Sequence, residues 1–315
     1  MCPVDLTTVL AGITLRNPVL TCSGTYGFGE EYAAYCPLEA LGGITLKGIT
    51  PLRRLGNSVP RLAETPAGLL NAVGLENPGL EEFLISYLPK VRKMPTAVIA
   101  NISGFSLEDY EQMARALQVD SGLTALEVNI SCPNVKHGGM HFGTDPQSAE
   151  EVIAAVKAAT DLPIIAKLSP NVTDIVGMAR AAQRGGADAL SLINTLLGMR
   201  IDIEQQRPLL ANTFGGLSGP AIRPVAVRMV WQVAEAVDIP IIGMGGITTW
   251  QDAVEFLLAG ATAISIGTGN FVNPQAPLEI LQGIKDYCAK HGRTSVRDLV
   301  GLAHTKRRNS EWTRH

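Results

Sequence analysis

Eight short apolar runs recur along the chain, and segments with apolar residues at helical spacing separate most of them. The apolar runs cover residues 18–24, 43–48, 96–104, 125–131, 163–170, 188–195, 240–246 and 263–269. The helical patterns cover residues 80–93, 106–118, 148–160, 172–186, 224–237 and 249–260. Alternating strands and helices indicate a parallel sheet with buried strands. Eight such units predict an α/β fold, a (β/α)8 TIM barrel, with an open doubly wound sheet as the alternative.

The size of the chain suits one barrel domain. Its 315 residues are 46% hydrophobic, which is enough apolar material for a single large core. Two connections, 49–80 and 196–221, are longer than ordinary loops. We interpret them as excursions that cover the carboxyl ends of the strands. We therefore assign residues 1–303 to a single barrel domain and the polar, basic residues 304–315 to an exposed tail.

Each apolar run ends in small or polar residues, and these include Lys47, Cys132 and Lys167. In a barrel the carboxyl ends of all eight strands meet at one face, where active sites lie. Turn chemistry alone accounts for glycine and asparagine at such positions, but not for two lysines and a cysteine. We therefore expect a catalytic site at this face.

Composition argues against several other functions. The net charge is -3 and no basic block lies in the body of the chain, so nucleic-acid binding is not expected. No apolar run approaches the roughly 18 residues that span a bilayer, so no membrane association is expected. The five cysteines are widely spaced without a C-x-x-C motif, which argues against a disulfide framework or an iron–sulfur cluster and favours a cytoplasmic location. His137 and His141 are interpreted as loop residues, because a metal site needs more converging ligands.

Two glycine clusters predict a phosphate site. GMGGITT (243–249) follows the seventh apolar run and SIGTGNF (265–271) follows the eighth, where barrels often bind phosphate. Glycines let backbone N–H groups approach an anion closely. A lysine at a neighbouring strand end could stabilise an anionic intermediate or a reduced flavin. Lys167 could instead form a Schiff base, which would make the protein a barrel aldolase.

Ten motifs, in order along nearly the whole chain, resemble those of dihydroorotate dehydrogenases. They are SGTYGFG (23–29), TLKGIT (45–50), NAVGLEN (71–77), ANISG (100–104), NISCPN (129–134), AKLSPN (166–171), INT (193–195), GLSG (216–219), GMGGI (243–247) and IGTG (266–269). The cysteine in NISCPN resembles class 1, and VKHGGMHFGTDP (135–146) is more similar to class 1B catalytic subunits than to class 1A. Class 2 enzymes carry serine as the base and a membrane-associating N-terminal extension, neither of which we expect here.

The resemblance implies an FMN enzyme that oxidises dihydroorotate to orotate in pyrimidine biosynthesis. The implied FMN contacts are Ser23, Lys47, Gly48, Asn101, Asn129, Lys167, Ile193, Gly219, Gly245, Gly246, Gly267 and Thr268. The implied substrate contacts are Lys47, Asn71, Ala72, Val73, Gly74, Leu75, Asn129, Asn194 and Thr195. Asparagine suits this substrate, because one amide offers both a donor and an acceptor to the edge of a planar pyrimidine.

The resemblance to class 1B also implies a partner. Such catalytic subunits pair with a second subunit that carries FAD and a [2Fe–2S] cluster and passes electrons to NAD⁺. A homodimer core within a heterotetramer is the expected assembly. Three alternatives stay open: a class 1A enzyme that uses fumarate, the Schiff-base aldolase, and a barrel that binds a ligand without catalysis.

Cys132 is the candidate catalytic base. By resemblance, the reaction moves a hydride from C6 of dihydroorotate to FMN and a proton from C5 to a cysteine. Cys132 is the one titratable group in NISCPN, whereas protonated lysines cannot accept a proton. A free thiol has a pKa of about 8.5 and is mostly protonated at neutral pH, so nearby cations would have to lower the pKa of Cys132 to increase its thiolate fraction. An inert buried thiol is the more common fate of a free cysteine, and it suits Cys2, Cys22, Cys36 and Cys288 better, although Cys22 also ends a strand in a polar run.

Overall fold

The protein forms a closed barrel of eight parallel strands. A computed structural model describes residues 4–32, 34–131 and 143–304. The barrel strands are β1 (Val19–Thr21), β2 (Gly43–Thr45), β3 (Ala97–Ile102), β4 (Ala125–Asn129), β5 (Ile164–Lys167), β6 (Ala189–Leu192), β7 (Ile241–Met244) and β8 (Ala263–Ile266). Each strand pairs with its neighbours in chain order, and β8 closes the ring by pairing with β1. The predicted barrel is confirmed, and the open sheet is wrong.

Helices connect the strands on the outside of the barrel. Six of them match the predicted helical patterns: 80–91, which contains Leu80–Glu82, a π-helical turn Phe83–Tyr87 and Leu88–Val91, then Leu107–Ala116, Pro146–Ala159, Ile175–Arg184, Arg223–Ala234 and Trp250–Leu258. Local sequence explains where several begin, because Ser106, Asp145, Asp174 and Thr249 each accept a backbone N–H bond as N-cap. Two helices that the sequence analysis did not identify, Gly269–Val272 and Ala276–Lys290, follow β8.

A hairpin closes the amino-terminal end of the barrel. It consists of Thr8–Leu10 and Ile13–Leu15. Its buried Leu10 and Leu15 pack with inward-facing apolar residues of the barrel strands. A larger apolar cluster fills the layer between the strands and the surrounding helices. Since this end of the barrel interior is filled, a ligand can enter only from the carboxyl ends of the strands.

The two long connections form a single antiparallel sheet over the carboxyl ends of the strands. The first contributes Leu62–Thr65 and Gly68–Asn71, and the second contributes Leu196–Met199 and Phe214–Ser218. The central pair places Gly216 opposite Asn71. We call this element the covering sheet. The excursions expected from sequence are therefore one structure, because each supplies the hydrogen-bonding partners of the other.

The last described residue, His304, belongs to the folded barrel. Its side chain is buried, its ring stacks on Trp231 at 3.6 Å between centroids, and its Nε2 lies 3.0 Å from the carbonyl oxygen of Ala259. The expectation that the exposed tail begins at residue 304 is wrong for this residue, and residues 305–315 lie outside the described part. Within the described ranges, none of the helices combines the length and apolar character needed to cross a membrane.

Candidate active site at the carboxyl ends of the strands

The barrel interior changes from apolar to polar along the strands. Ile99 and Ile165 belong to the apolar layer beside the hairpin. Side chains alternate with a period of two along a strand, so Asn101 and Lys167 point into the same interior one layer higher. Both are buried. The candidate site thus begins with a polar layer directly above an apolar plug, and we call the space above this layer the barrel mouth.

Glu127 on β4 lies at the centre of the polar layer. Its Oε2 accepts a hydrogen bond from Asn101 Nδ2 at 2.6 Å and lies 3.4 Å from Lys167 Nζ. Its Oε1 accepts a bond from Ser191 Oγ on β6 at 2.8 Å. Strands β4 and β6 are not adjacent, so this bond crosses the interior. Glu127 was not predicted from the sequence, although it is a lone acid within the apolar run ALEVNI, two residues before Asn129.

Two asparagine amides meet at the ends of β4 and β6. Asn194 Nδ2 donates to Asn129 Oδ1 at 3.5 Å, and the same oxygen accepts the Ser131 backbone N–H at 3.2 Å. Asn194 Oδ1 accepts the backbone N–H of Thr195 at 2.8 Å. These contacts fix the orientation of both amides, so the implied substrate residues Asn129, Asn194 and Thr195 lie together.

The NAVGL segment lies at the end of the covering sheet. Asn71 Nδ2 donates to the carbonyl oxygen of Gly216 at 3.2 Å. Asn57 donates to the carbonyl oxygens of the next two residues: its Nδ2 donates to Ala72 O and its backbone N–H donates to Val73 O, both at 2.9 Å. The following Gly74 and Leu75 adopt left-handed backbone conformations, with φ of 79° and 56°.

A second residue that the sequence analysis missed holds this segment. Asn77 is buried, and its Nδ2 donates to Leu75 O at 2.7 Å and to Thr50 Oγ1 at 2.8 Å. Its Oδ1 accepts the backbone N–H groups of Thr50 and Gly79. One amide therefore ties the end of the first long connection to its beginning, and this fixes the backbone that the resemblance assigns to the substrate.

The glycine clusters form a cradle beside the start of helix Arg223–Ala234. Gly219, Gly245 and Gly246 have φ of 98°, 121° and 80°, which side chains rarely adopt. A Cβ at Gly246 would lie 2.8 Å from Gly219 O and 2.8 Å from Arg223 Cβ. Across the described residues we find no protein acceptor for the backbone N–H groups of Gly246 and Thr268. Such a cradle suits an anion.

The other implied cofactor residues border the same mouth. The backbone N–H of Lys47 donates to Gly27 O at 2.9 Å, and the backbone N–H of Ile193 donates to Met244 O at 3.0 Å. A Cβ at Gly48 would lie 2.7 Å from Asn101 Oδ1, so the ends of β2 and β3 touch there. Ser23 is half-buried and lies two residues beyond the end of β1.

The ends of β8 and β1 also meet. A Cβ at Gly267 would lie 3.5 Å from Cys22 Sγ. Although part of Cys22 is exposed, its sulfur faces the barrel mouth and lies 3.8 Å from Met244 Sδ. Burial raises the pKa of the Cys22 thiol, and the charge of Lys167 opposes this effect. Cys22 is therefore a poor candidate for a base at neutral pH.

Cys132, the predicted base, lies outside the described residues, as do His137 and His141. The described residues on either side do meet: a Cβ at Gly143 would lie 2.5 Å from Ile130 O and 3.1 Å from Ser131 Cα. Ser131 Oγ also donates to Lys167 O at 3.0 Å. Ser131 and Gly143, the described residues on either side of this segment, therefore lie together beside β4 and β5. Within the described ranges, no group of three or more acidic, histidine or cysteine side chains could hold a metal ion.

Comparisons with known proteins agree on one family. The family model described as dihydroorotate dehydrogenase matches residues 5–288. A Geotalea daltonii protein and a Desulforamulus reducens protein, both named dihydroorotate dehydrogenase B (NAD(+)), catalytic subunit, are 54% and 55% identical over 301 residues, which cover 96% of this chain and 99% of each relative. A crystal structure of an Eimeria tenella DHODH in complex with ferulenol has a TM-score of 0.79 at 22% identity, over 95% of this chain and 89% of that one, and it supports the fold.

Proposed function

The chain belongs to the dihydroorotate dehydrogenase family, and we propose that it oxidises dihydroorotate to orotate in pyrimidine biosynthesis as an FMN-dependent catalytic subunit. The observation that carries this proposal is the convergence at one barrel mouth of a buried lysine, two fixed asparagine amides and an anion-binding cradle. None of the three alone specifies the reaction. Together they provide for a phosphate, a flavin ring and a planar substrate.

The residues at the mouth fit FMN. The glycine cradle of Gly219, Gly245 and Gly246, with the N–H groups of Gly246 and Thr268, suits its phosphate. Lys167 and Asn101 lie deeper, in the polar layer, where they suit the ring. When bound, FMN supplies the acceptor for the hydride. The ammonium of Lys167, held in the polar layer, would stabilise negative charge that develops on the bound ring, and stabilisation of this kind is usually a large contribution to catalysis.

Substrate binding is assigned to Asn71, Asn129 and Asn194 with the NAVGL backbone. Because the amides of Asn129 and Asn194 have fixed orientations, their remaining donors and acceptors can hydrogen-bond to the edge of a pyrimidine. Lys47 suits the carboxylate of the substrate. For Lys47 Nζ we find no ion pair or hydrogen bond within the described ranges, which leaves the ammonium available to an anion. A ligand that fails to match these groups would leave buried polar atoms unpaired, which gives strong discrimination.

Cys132 is assigned the role of base. The C5 proton moves to its thiolate, the C6 hydride leaves with its electron pair, and a C5=C6 double bond forms. The thiol later returns the proton to solvent. The proposal for Cys132 rests on its place in NISCPN and on the flanking residues Ser131 and Gly143, which lie beside the polar layer. The first test is the purified protein: it should be yellow, release FMN, and bleach when dihydroorotate is added without oxygen. A colourless protein that holds no flavin would contradict the proposal.

We propose NAD⁺ as the final acceptor, reached through a separate subunit that carries FAD and a [2Fe–2S] cluster. The name of these relatives, which specifies NAD(+) and a catalytic subunit, supports this proposal. The isolated chain should reduce artificial acceptors but not NAD⁺, and the partner should restore NAD⁺ reduction. Efficient use of fumarate by the isolated chain would instead indicate class 1A.

We further propose that two copies of the chain associate through the covering sheet. The strand pairing places Leu62, Leu197, Met199 and Phe214 on one face of this sheet, and all four are exposed. Leu197, Met199 and Phe214 adjoin one another, and Leu62 lies on the opposite edge strand beyond Gly216 and Asn71. Exposed apolar side chains gathered on one face mark an interaction site. Leu197→Glu should therefore shift the protein towards monomer in sedimentation velocity. Ile85→Glu, at an exposed apolar residue outside the sheet, is the matched control and should leave the dimer intact.

A further inference from the structure

Glu127 carries a charge that the reaction itself does not use. Its side chain is 1% exposed, and a buried carboxylate is costly unless it is paired and hydrogen-bonded. An apolar residue of similar volume would avoid the desolvation cost. The contacts of Glu127 must therefore serve another purpose.

Each contact of Glu127 fixes a neighbouring polar group. The Glu127 carboxylate accepts a hydrogen bond from Asn101 Nδ2, and this fixes the orientation of the amide with its Oδ1 directed towards Gly48. The ion pair with Lys167 holds the ammonium at 3.4 Å, and the remaining N–H groups of the ammonium are left for other acceptors. Ser191 supplies the third donor and anchors the carboxylate from β6. One side chain thus orients the two buried residues that are assigned to the flavin ring.

We propose that Glu127 is a positioning residue whose negative charge sets the reduction potential of the bound flavin by partly compensating Lys167. This inference rests on the proposed function, because it requires FMN above the polar layer. A positive charge near the ring favours the negatively charged reduced form, and a negative charge behind it weakens that preference. Electrons can pass on to a weakly oxidising acceptor such as NAD⁺ only if the reduced flavin is not held too strongly.

The test is the reduction potential of FMN bound to Glu127→Gln. This change keeps the shape of the side chain and one hydrogen-bonding oxygen but removes the charge. Reduced FMN should gain at least tenfold in binding relative to oxidised FMN, a rise of about 30 mV for a two-electron couple. Titration against a reference dye, followed by absorbance, measures this without turnover. Glu127→Asp, which keeps the charge, should remain closer to the wild-type potential. An unchanged or lower potential in Glu127→Gln would overturn the proposal.

A second measurement covers the case in which Glu127→Gln does not retain FMN. In the flavin-free full chain, Lys167→Met removes one partner of a buried ion pair and should lower the melting temperature. The double variant Glu127→Gln/Lys167→Met should melt at a higher temperature than Lys167→Met alone, because no unpaired charge remains. A double variant that melts at the same or a lower temperature refutes the pairing. Absence of FMN from the wild-type protein would instead count against the proposed function, and the melting comparison would still decide the pairing.

Discussion

Replacing Gly267 with alanine adds one methyl group to the barrel mouth without disturbing the backbone. Gly267 does not have a left-handed φ, so alanine can adopt its conformation. The new methyl carbon would lie 3.5 Å from Cys22 Sγ, 3.7 Å from Cys22 Cβ and 4.0 Å from Thr25 Cγ2. These are ordinary van der Waals contacts. The protein itself therefore accommodates the change.

The size of the effect follows from this geometry. A compatible Gly→Ala change stabilises a protein by about 0.4–1 kcal/mol through the unfolded state, so the flavin-free Gly267→Ala protein should be at least as stable as wild type. If FMN lies against Gly267, the methyl overlaps the ligand. Overpacking of this kind costs about 1–3 kcal/mol, which corresponds to a roughly 5- to 150-fold loss of FMN affinity.

Gly246→Ala is the contrasting variant. Its φ of 80° and the 2.8 Å approach to Gly219 O make alanine strained there even without a ligand. The left-handed conformation costs about 1–2 kcal/mol, and the overlap costs about 1–3 kcal/mol. Gly292→Ala isolates the first contribution, because Gly292 has φ of 64° and no atom within 4 Å. Gly246→Ala should therefore lower stability more than Gly292→Ala does, and should also weaken FMN binding.

Two assays separate these outcomes. Urea midpoints of the flavin-free proteins report stability, and quenching of FMN fluorescence on titration reports affinity. The expected pattern is a loss of affinity alone for Gly267→Ala, a loss of both for Gly246→Ala and a small loss of stability alone for Gly292→Ala. Wild-type FMN affinity in Gly267→Ala would refute the assignment of Gly267 to the cofactor, and a lower urea midpoint would refute the steric reasoning.

Three further predictions concern the reactive side chains. Cys132→Ala should retain FMN and bind orotate, but in stopped-flow at neutral pH dihydroorotate should reduce its flavin orders of magnitude more slowly. Cys132→Ser should recover activity mainly at high pH. A wild-type rate of flavin reduction in Cys132→Ala would exclude Cys132 as the base. Lys167→Ala should lose flavin or slow its reduction severely, whereas borohydride should trap no substrate on wild-type Lys167; a trapped adduct in a flavin-free protein would favour the aldolase. Burial raises the pKa of Cys36 and Cys288, so the thiolate fraction of each is small at pH 8. Iodoacetamide should therefore label both slowly in the native protein, as measured by peptide mass spectrometry. Rapid labelling would show that they are accessible.

The fold was predictable because its information is local and repeated. Buried parallel strands appear as short apolar runs, and amphipathic helices show their own spacing, so eight repeats indicated the barrel. Helix Ala276–Lys290 was not identified although it packs on the barrel through Ile280 and Ile284. The covering sheet could not be derived this way. Each central strand, Gly68–Asn71 and Phe214–Ser218, has one partner in its own connection, but the pairing that joins the two connections links strands that are far apart in the chain.

The candidate site was predictable to a different degree. Strand-end residues such as Asn129 and Asn194 could be proposed from sequence, because a barrel brings all carboxyl ends to one face. Glu127 and Asn77 were missed, since their importance depends on which groups surround them. For Glu127 those groups come from three other strands, and for Asn77 they come from both ends of a long connection. Pairwise contacts of this kind are a property of the folded chain.

The surroundings of Lys167 bear on the choice between a dehydrogenase and an aldolase. A Schiff-base lysine must attack a carbonyl carbon as a neutral amine. Here Lys167 Nζ lies 3.4 Å from a carboxylate that is itself buried, and neutralising the lysine would leave Glu127 without its counter-charge. A buried carboxylate that loses its counter-charge is left uncompensated, which is unfavourable. A flavin ring above the pair needs no such change, because the ammonium acts through its charge while it remains paired. The same contact that weakens the aldolase alternative is therefore the one that suits Lys167 to a reduced flavin.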